Sequence, residues 1–454
     1  KAVMRRTEAT AVENSNANVD EKSFSGREKE ASADIQKIIA LDYTLSPEIS
    51  QAHKDMLLYQ HDMEKTNIGE HNCLFVDFKK VFEDGFVTRN GDVRSPGSFS
   101  SACQQTAVVF QCQSQVQFGG VGTVHLDRDL APFVSKSFRK HIKNYFTDVQ
   151  YYSDETATML MDGFEKEHGE ICIDNLELQS MSGYPDAYNY AMKQLEREGK
   201  QSSEALYHNL NTLESRAGSQ VPFTSINFGR DTSIEGRFVS RKMLEASLSG
   251  IGKHHLTPIF PISIFQYKQG CNANPEDLNY DLKQLAIESL SKRIYPNFVN
   301  CDYSQAHEDP ENPDTFFATM GCRTRVFENR FGEKTSIARG NISFSTINIV
   351  RLAIECMEVA DKEQRIALFF SKLDNMLDIA ARQLHERMEF QKSAFAKQFP
   401  LLMSALWVGC DKLDPAGTIA PVINQGTLGI GFIGLAECLV ALVGKHHGES
   451  EEAQ

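Results

Sequence analysis

Residues 318–350, ATMGCRTRVFENRFGEKTSIARGNISFSTINIV, decide how this chain is read. An apolar segment closes on Met320 and Gly321, Cys322 follows, and a polar, charged stretch leads to NISFSTINIV. Aromatic and β-branched residues on both sides predict two strands around a loop too charged to be packed away. Cys322 thus sits at a strand-to-loop junction. Cys73, in GEHNCLFVDF, opens another alternating, strand-like run. A buried structural thiol is the ordinary case for cysteine, so residue chemistry alone leaves both thiols as candidates and no more.

Working outward, strand-like runs occur at 222–229 (PFTSINFG), 257–266 (TPIFPISIFQ), 316–321 and 342–350, each bounded by Gly, Pro or Asn. Helical patterns fill the intervals: 98–118 with serines at its N-cap, 134–168, one or two helices over 186–217, 236–250, 281–293, 350–360 and 361–399. In the last, Ile366, Phe370, Leu373, Leu377, Ala380 and Leu384 share a face. Strands separated by helices predict an α/β fold with largely parallel strands. Residues 1–34 lack an apolar stripe and read as a linker or arm; GGVG at 119–122 reads as the break that ends a helix.

The most apolar run, LGIGFIGLAECLVALVG at 428–444, carries Glu437 and several glycines. It predicts a buried helix rather than a membrane span. Within it GIGFIG matches G-x-G-x-x-G, but a dinucleotide site needs a preceding strand and a second strand with an acidic residue about 20 positions on. Close glycine packing is the competing reading. No H-E-x-x-H, G-x-S-x-G or Walker A motif occurs. The pairs His254-His255 and His446-His447 have no ligand partners at useful spacing and read as surface residues.

The 454 residues suffice for one large domain or two to three ordinary ones. A net charge of -14 argues against a nucleic-acid partner. The 10 cysteines are scattered, with no C-x-x-C pair. Cys103, Cys112, Cys356 and Cys438 fall in helical patterns as small hydrophobes; Cys172, Cys271, Cys301 and Cys410 lie near loops without an activating pattern. Absence of a signal peptide and this thiol usage predict a reducing, cytoplasmic setting without membrane association.

Taken together, NANVDEKSFSGRE (17–28), HNCLFVDF (71–78), SPGSFSSACQQTA (95–107), SRAGSQVPFTSINFGRDTS (215–233), TPIFPISIFQYKQG (257–270), KRIYPNF (292–298), MGCRTRV (320–326) and RGNISFSTINIVRLAIE (339–355) resemble, in order, the core of anaerobic (class III) ribonucleoside-triphosphate reductases, which are glycyl radical enzymes. The resemblance covers nearly the whole chain. It implies a ten-stranded α/β barrel over 35–454, built of two parallel five-stranded half-sheets, with a central finger loop tipped by Cys322. It implies reduction of ribonucleoside triphosphates through a thiyl radical on Cys322. Cys73 would be the proton and electron donor on the opposite ribose face, and Asn341 the hydrogen-bond partner of the sugar hydroxyls. Asn348 is an alternative for that position, and His61 a further candidate for formate or substrate contact. Asparagine in RGN resembles the subgroup that uses formate as reductant.

The resemblance also implies nucleotide-dependent regulation by ATP or dNTP effectors, for which Lys136, Arg139, Lys140 and Lys143 offer phosphate partners; a solvated basic helix face is the other reading of these four. It implies homodimers, extending to nucleotide-dependent higher oligomers, and activation by a separate iron–sulfur, S-adenosylmethionine-dependent activase. The family's radical glycine in an R-V-[ST]-G-Y-type segment, its four-cysteine zinc site and its N-terminal ATP-cone have no counterpart in residues 1–454. The expectation is that they lie outside this sequence, and no metal site is expected within it. Two rivals stand beside this reading. A glycyl radical lyase of the pyruvate formate-lyase type usually has two adjacent cysteines at the loop tip, where this sequence has Cys322 followed by Arg323. A catalytically inactive nucleotide-binding regulatory subunit would need no radical glycine.

Overall fold

The computed structural model describes residues 23–88, 90–180, 183–302, 308–322, 324–399, 401 and 406–454. Most of the 1–34 arm, and Arg323 beside the candidate thiol, lie outside them. Twelve strands are described: β1 Leu58–Gln60, β2 Leu74–Phe75, β3 Phe86–Thr88, β4 Gly91–Val93, β5 Val121–Thr123, β6 Thr224–Phe228, β7 Ile262–Tyr267, β8 Asn297–Asn300, β9 Ala318–Thr319, β10 Arg325–Val326, β11 Asn341–Asn348 and β12 Thr427–Ile433.

Five of them form one sheet in the order β2-β5-β6-β7-β8, every neighbouring pair parallel. Helices cover the crossovers, as parallel strands require: Phe99–Gln113 before β5, Leu126–Asn144 and Tyr184–Thr212 before β6, Ile234–Ser249 before β7, and Tyr280–Arg293 before β8. Their starts are set locally. Ser98 and Ser101 form a reciprocal capping box, and Ser233 caps Gly236 N–H. β6 is buried throughout and β7 nearly so, because helices and chain cover both faces. Phe78, Phe82 and Phe110 nest at ring separations of 5.1 and 5.3 Å, each worth roughly 1.5–3 kcal/mol of burial.

A second sheet runs β1-β11-β12, with β1 antiparallel and β12 parallel to β11. Where β11 begins, its lead-in lies antiparallel to β2: Phe75 N–H donates to Arg339 O at 2.9 Å and Ala338 N–H to Phe75 O at 2.9 Å. The α/β class with a parallel sheet is as expected. The described residues do not close a ten-stranded barrel; they give one complete parallel five-stranded sheet and a three-stranded one whose β12 strand is an edge.

Several local expectations are corrected. Residues 428–444 are not one helix: β12 takes the first half, and a helix, Leu435–Val443, the second. Glycines explain the change, since a Cβ on Gly429 would lie 2.4 Å from the Phe344 ring of β11 and one on Gly431 3.0 Å from it. Close glycine packing therefore accounts for GIGFIG. GGVG does not simply end a helix; Val121–Thr123 is a sheet strand. The 257–266 strand starts only at Ile262, because Pro258 and Pro261 withhold ladder donors. The 134–168 helix is interrupted, with a π-turn at Tyr145–Val149 before a new start at Asp154. No helix among the described residues is long and apolar enough to cross a membrane.

Candidate functional site

The segment read as a strand over 316–321 is mostly not one, because side chains of the large sheet take the place of a ladder partner. Asn227 Nδ2 on β6 donates to Thr123 O and to Thr319 O, both at 2.9 Å. Gln266 Nε2 on β7 donates to Phe317 O at 2.9 Å, and Ser225 Oγ accepts Gly321 N–H at 3.0 Å. The polar residues of TSINF and of SIFQY thus hold a chain segment that climbs the sheet. Glycines make the room. A Cβ on Gly122 would meet the Met320 sulfur at 3.1 Å and Ser225 O at 2.7 Å, and one on Gly321 would meet Ile262 at 2.3 Å.

At the top, β9 and β10 pair as an antiparallel hairpin, and Met320 N–H donates to Thr324 O at 2.9 Å. Cys322 stands at the tip with its residue exposed. The returning limb is clipped by one guanidinium. Buried Arg339 donates to Gln425 O at 2.8 Å, Phe327 O at 2.6 Å and Thr335 O at 3.2 Å. Burial lowers its pKa to about 10, so it remains charged.

The tip faces Cys73, which is fully buried just before β2. A hydrogen bond with the Cys322 thiol, then burial, hold the Cys73 thiol well above the usual thiol range. The Thr324 hydroxyl and Gly120 N–H, 3.4 Å from Cys73 Sγ, pull the other way. The net direction keeps a neutral S–H at Cys73, the form that can donate a hydrogen. An apolar jacket of Phe75, Val124, Ala318, Met320, Val326 and Ile337 surrounds this pair.

Asn341 joins the two thiols. Its backbone carbonyl accepts Cys73 N–H at 2.8 Å. Its Oδ1 accepts Asn72 Nδ2 at 2.7 Å, while its Nδ2 donates to Thr427 O and Oγ1 at 3.1 and 3.2 Å. Both amide hydrogens are spent and one Oδ1 lone pair is left, so this side chain can accept one more hydrogen bond. Gly340 before it has no alternative, since a Cβ there would lie 1.7 Å from Cys73 O.

The other candidates stand apart. His61 Nε2 is bound to Thr346 Oγ1 at 2.7 Å, five residues along β11 from Asn341, or ~17 Å. Asn348 caps the next helix through Arg351 N–H at 3.2 Å and donates to Met56 O. Of the basic residues on Leu126–Asn144, Arg139 is forked onto Glu165 at 2.9 and 2.8 Å and Lys143 is paired with Asp154 at 3.2 Å. Lys136 lies 4.7 Å over the Phe133 ring beside a cleft of about 940 Å³ that Arg128, His125 and Asp314 also line. Lys140 is exposed.

Sequence reasoning passed over Asn72, Asn227, Ser225, Gln266 and Arg339. For Ser225, Asn227 and Gln266 the available signal was polarity inside otherwise apolar strands, which marks a face that must satisfy a second backbone.

Over residues 15–454 the chain matches the family described as anaerobic ribonucleoside-triphosphate reductase. Relatives bearing that name are 29% identical over 444 residues in Salmonella typhimurium, covering 96% of this chain and 56% of that protein; 29% over 453 residues in Escherichia coli, 98% and 57%; and 28% over 444 residues in phage T4, 96% and 66%. The chain therefore spans little more than half the length of the first two. Its fold is similar to that of the anaerobic ribonucleotide reductase from Thermotoga maritima, in complex with dATP and CTP (TM-score 0.57, 14% identity, 92% of this chain and 60% of that one) and with glycerol in the active site (TM-score 0.58, 14%, 92% and 60%). A match over nearly its whole length makes this chain a member of the anaerobic ribonucleoside-triphosphate reductase family.

Proposed function

We propose that the protein reduces ribonucleoside triphosphates to deoxyribonucleoside triphosphates with formate, by way of a thiyl radical on Cys322. The observation that carries this reading is the contact between Cys322, at the tip of a hairpin held on the sheet, and the buried, protonated Cys73. The overall change is NTP + HCOO⁻ + H⁺ → dNTP + CO2 + H2O. The Cys322 thiyl takes the ribose 3′-hydrogen, forming S–H and a carbon radical. Cys73 gives its proton to the departing 2′-hydroxyl, which leaves as water. Formate supplies the two electrons and the hydrogen for the new C2′–H bond and becomes CO2, the proton of the overall equation restores the Cys73 thiol, and Cys322 returns its hydrogen to C3′ and is left as the thiyl. Sulfur suits the first step because its S–H bond is close in strength to the activated C–H bond, so transfer runs both ways. Asn341 Oδ1 has the free lone pair to accept a ribose hydroxyl, with Asn72 and Thr427 fixing its orientation.

A glycyl radical, which the family resemblance assigns with a four-cysteine zinc site to a region outside residues 1–454, would supply the unpaired electron, and a separate iron–sulfur activase would generate it. A ten-stranded barrel belongs to the same proposal; it is supported by β12, an edge that leaves Ile430, Phe432 and Ile433 exposed, as strands that expect a neighbour do. Homodimers and ATP or dNTP effectors complete the reading. For effectors Lys136 and Lys140 are the available cations, because Arg139 and Lys143 are held by carboxylates.

The test is turnover. Full-length protein, activated anaerobically, is given an NTP and [13C]formate. Equimolar dNTP and 13CO2 are expected; dNTP formed with no 13CO2 would remove formate from the scheme, and no dNTP would remove the function.

A further inference from the structure

Once Cys73 has given up its proton, its sulfur carries a negative charge until a proton returns. Cys73 is fully buried, and Phe75, Val124, Ala318, Met320, Val326 and Ile337 pack around it. An anion in such apolar surroundings is costly unless hydrogen-bond donors meet it. The groups that face the sulfur therefore decide whether the proton can leave.

The first such group is Gly120 N–H, 3.4 Å from Cys73 Sγ. Its neighbours on the chain fix its direction. Gly119 N–H donates to Asn72 O at 2.8 Å, while Gly120 O accepts Leu74 N–H at 3.1 Å and Gln117 Nε2 at 2.6 Å. With the backbone tied on both sides, the Gly120 amide is left for the sulfur.

The second is the Thr324 hydroxyl. Thr324 lies two residues past Cys322 on the returning limb, where its carbonyl accepts Met320 N–H at 2.9 Å and closes the hairpin. The residue is only 4% exposed, and its Oγ1 has no oxygen or nitrogen partner among the described residues. The group it lies against is the Cys73 thiol. A buried hydroxyl without a partner costs stability, yet its hydrogen is free to turn toward an acceptor that forms beside it. Such a spare donor makes sense where its acceptor appears only during the reaction. Both groups already favour the charged form of Cys73, against burial and the Cys322 contact.

We propose that Gly120 N–H and the Thr324 hydroxyl form a two-donor cradle for the Cys73 thiolate, and that this cradle lets Cys73 act as an acid. The inference rests on the reading of Cys73 as the proton donor. In that step the Cys73 S–H bond breaks, its proton forms an O–H bond of the departing water, and the electron pair stays on sulfur. The two donors meet the charge there until the proton of the overall equation restores the thiol. Because Thr324 rides on the same hairpin as Cys322, the limb that carries the thiyl to the site also completes the acid.

A side-chain change cannot remove the Gly120 amide, so the test falls on Thr324→Val, with Thr324→Ser as the rescue. The first readout is thermal unfolding of the unactivated protein. A hydroxyl with no partner at rest contributes nothing to stability, so Thr324→Val is expected to melt at or above the wild-type temperature. A lower Tm, or a variant that does not fold, would give the hydroxyl a structural bond and overturn the proposal. The second readout uses activated full-length protein and an NTP carrying tritium at the ribose 3′ carbon. In Thr324→Val dNTP formation is expected to fall by about 10- to 100-fold, the worth of a hydrogen bond to a charged group, with the NTP KM unchanged. Tritium released to water per dNTP formed should rise by a similar factor, because Cys322 still takes the hydrogen while the 2′ step lags. Thr324→Ser should restore both. A wild-type rate in Thr324→Val, or a Thr324→Ser as slow as it, overturns the cradle and leaves Cys73 as the donor. So does a slower rate with an unchanged tritium ratio, which general loosening around the two thiols would give. A wild type that forms no dNTP removes the proposed function, and the cradle with it.

Discussion

Gly340→Ala should uncouple the thiol segment from the start of β11. A Cβ at Gly340 would lie 1.7 Å from Cys73 O, 2.6 Å from Cys73 C and 2.9 Å from Leu74 Cα, all of them backbone atoms that cannot swing aside as a side chain could. To make room the two segments must separate, straining the bonds from Cys73 N–H to Asn341 O at 2.8 Å and from Phe75 N–H to Arg339 O at 2.9 Å, with Ala338 N–H to Phe75 O beside them. Overpacking costs ~1–3 kcal/mol, and two or three weakened hydrogen bonds add ~0.5–1.5 kcal/mol each, giving about 2–7 kcal/mol. For a chain of this length melting as one unit, that corresponds to a fall in Tm of roughly 2–7 °C. Gly163→Ala is the control. It lies in the helix Asp154–His168 with nothing within 4 Å of its new Cβ, so it should stabilise by ~0.5–1 kcal/mol. Thermal unfolding by circular dichroism gives both numbers. Equal Tm values for Gly340→Ala and the wild type would refute the close approach on which the site is built.

Two further outcomes follow from buried groups. His71 is fully buried against Phe399 and Trp407, with neither ring nitrogen bonded among the described residues, and burial lowers its pKa from 6.5 to about 3. The unfolded chain takes up this proton below pH 6.5 while the folded one refuses it, so stability is lost as pH falls from 6.5 towards 3, by about 2–3 kcal/mol at pH 4.5. Urea unfolding at pH 7 and 4.5 should show this loss shrinking in His71→Phe, and an unchanged loss would assign the acid sensitivity elsewhere. Arg339→Met removes the clip on three loop carbonyls and should weaken local closure by ~2–4 kcal/mol. Amide exchange over 324–338 should accelerate by more than tenfold with the sheet strands unaffected; equal rates would show that the finger is held without it.

How far the sequence could be read depended on what each stretch had to satisfy. β6, β7 and β11 were legible because continuous apolar or alternating patterns encode burial directly. β5 was not, because Gly120 and Gly122 are set by the approach of Met320 from 200 residues away, which no local pattern reports. β12 was taken for a helix for the same reason: its glycines answer to the Phe344 ring. At the site, Cys73, Cys322 and Asn341 could be named from their resemblance to a family, and the structure brings these three together. His61, which is bonded to Thr346, and Asn348 were further polar candidates but lie at the far half of β11. Asn227 and Gln266 look like ordinary strand polarity until the hairpin they hold is in view.

The central claim is that Cys322 starts the reaction and Cys73 then makes loss of the 2′-hydroxyl possible. The most direct measurement follows both events in one experiment, using anaerobically activated full-length protein and an NTP carrying tritium at the ribose 3′ carbon. The wild type should give dNTP. Cys322→Ala, folded by circular dichroism, should give no dNTP and leave the 3′-tritium in place. Cys73→Ala should still disturb the 3′-tritium yet yield no dNTP. Deoxynucleotide formation by Cys322→Ala would contradict the account at its root.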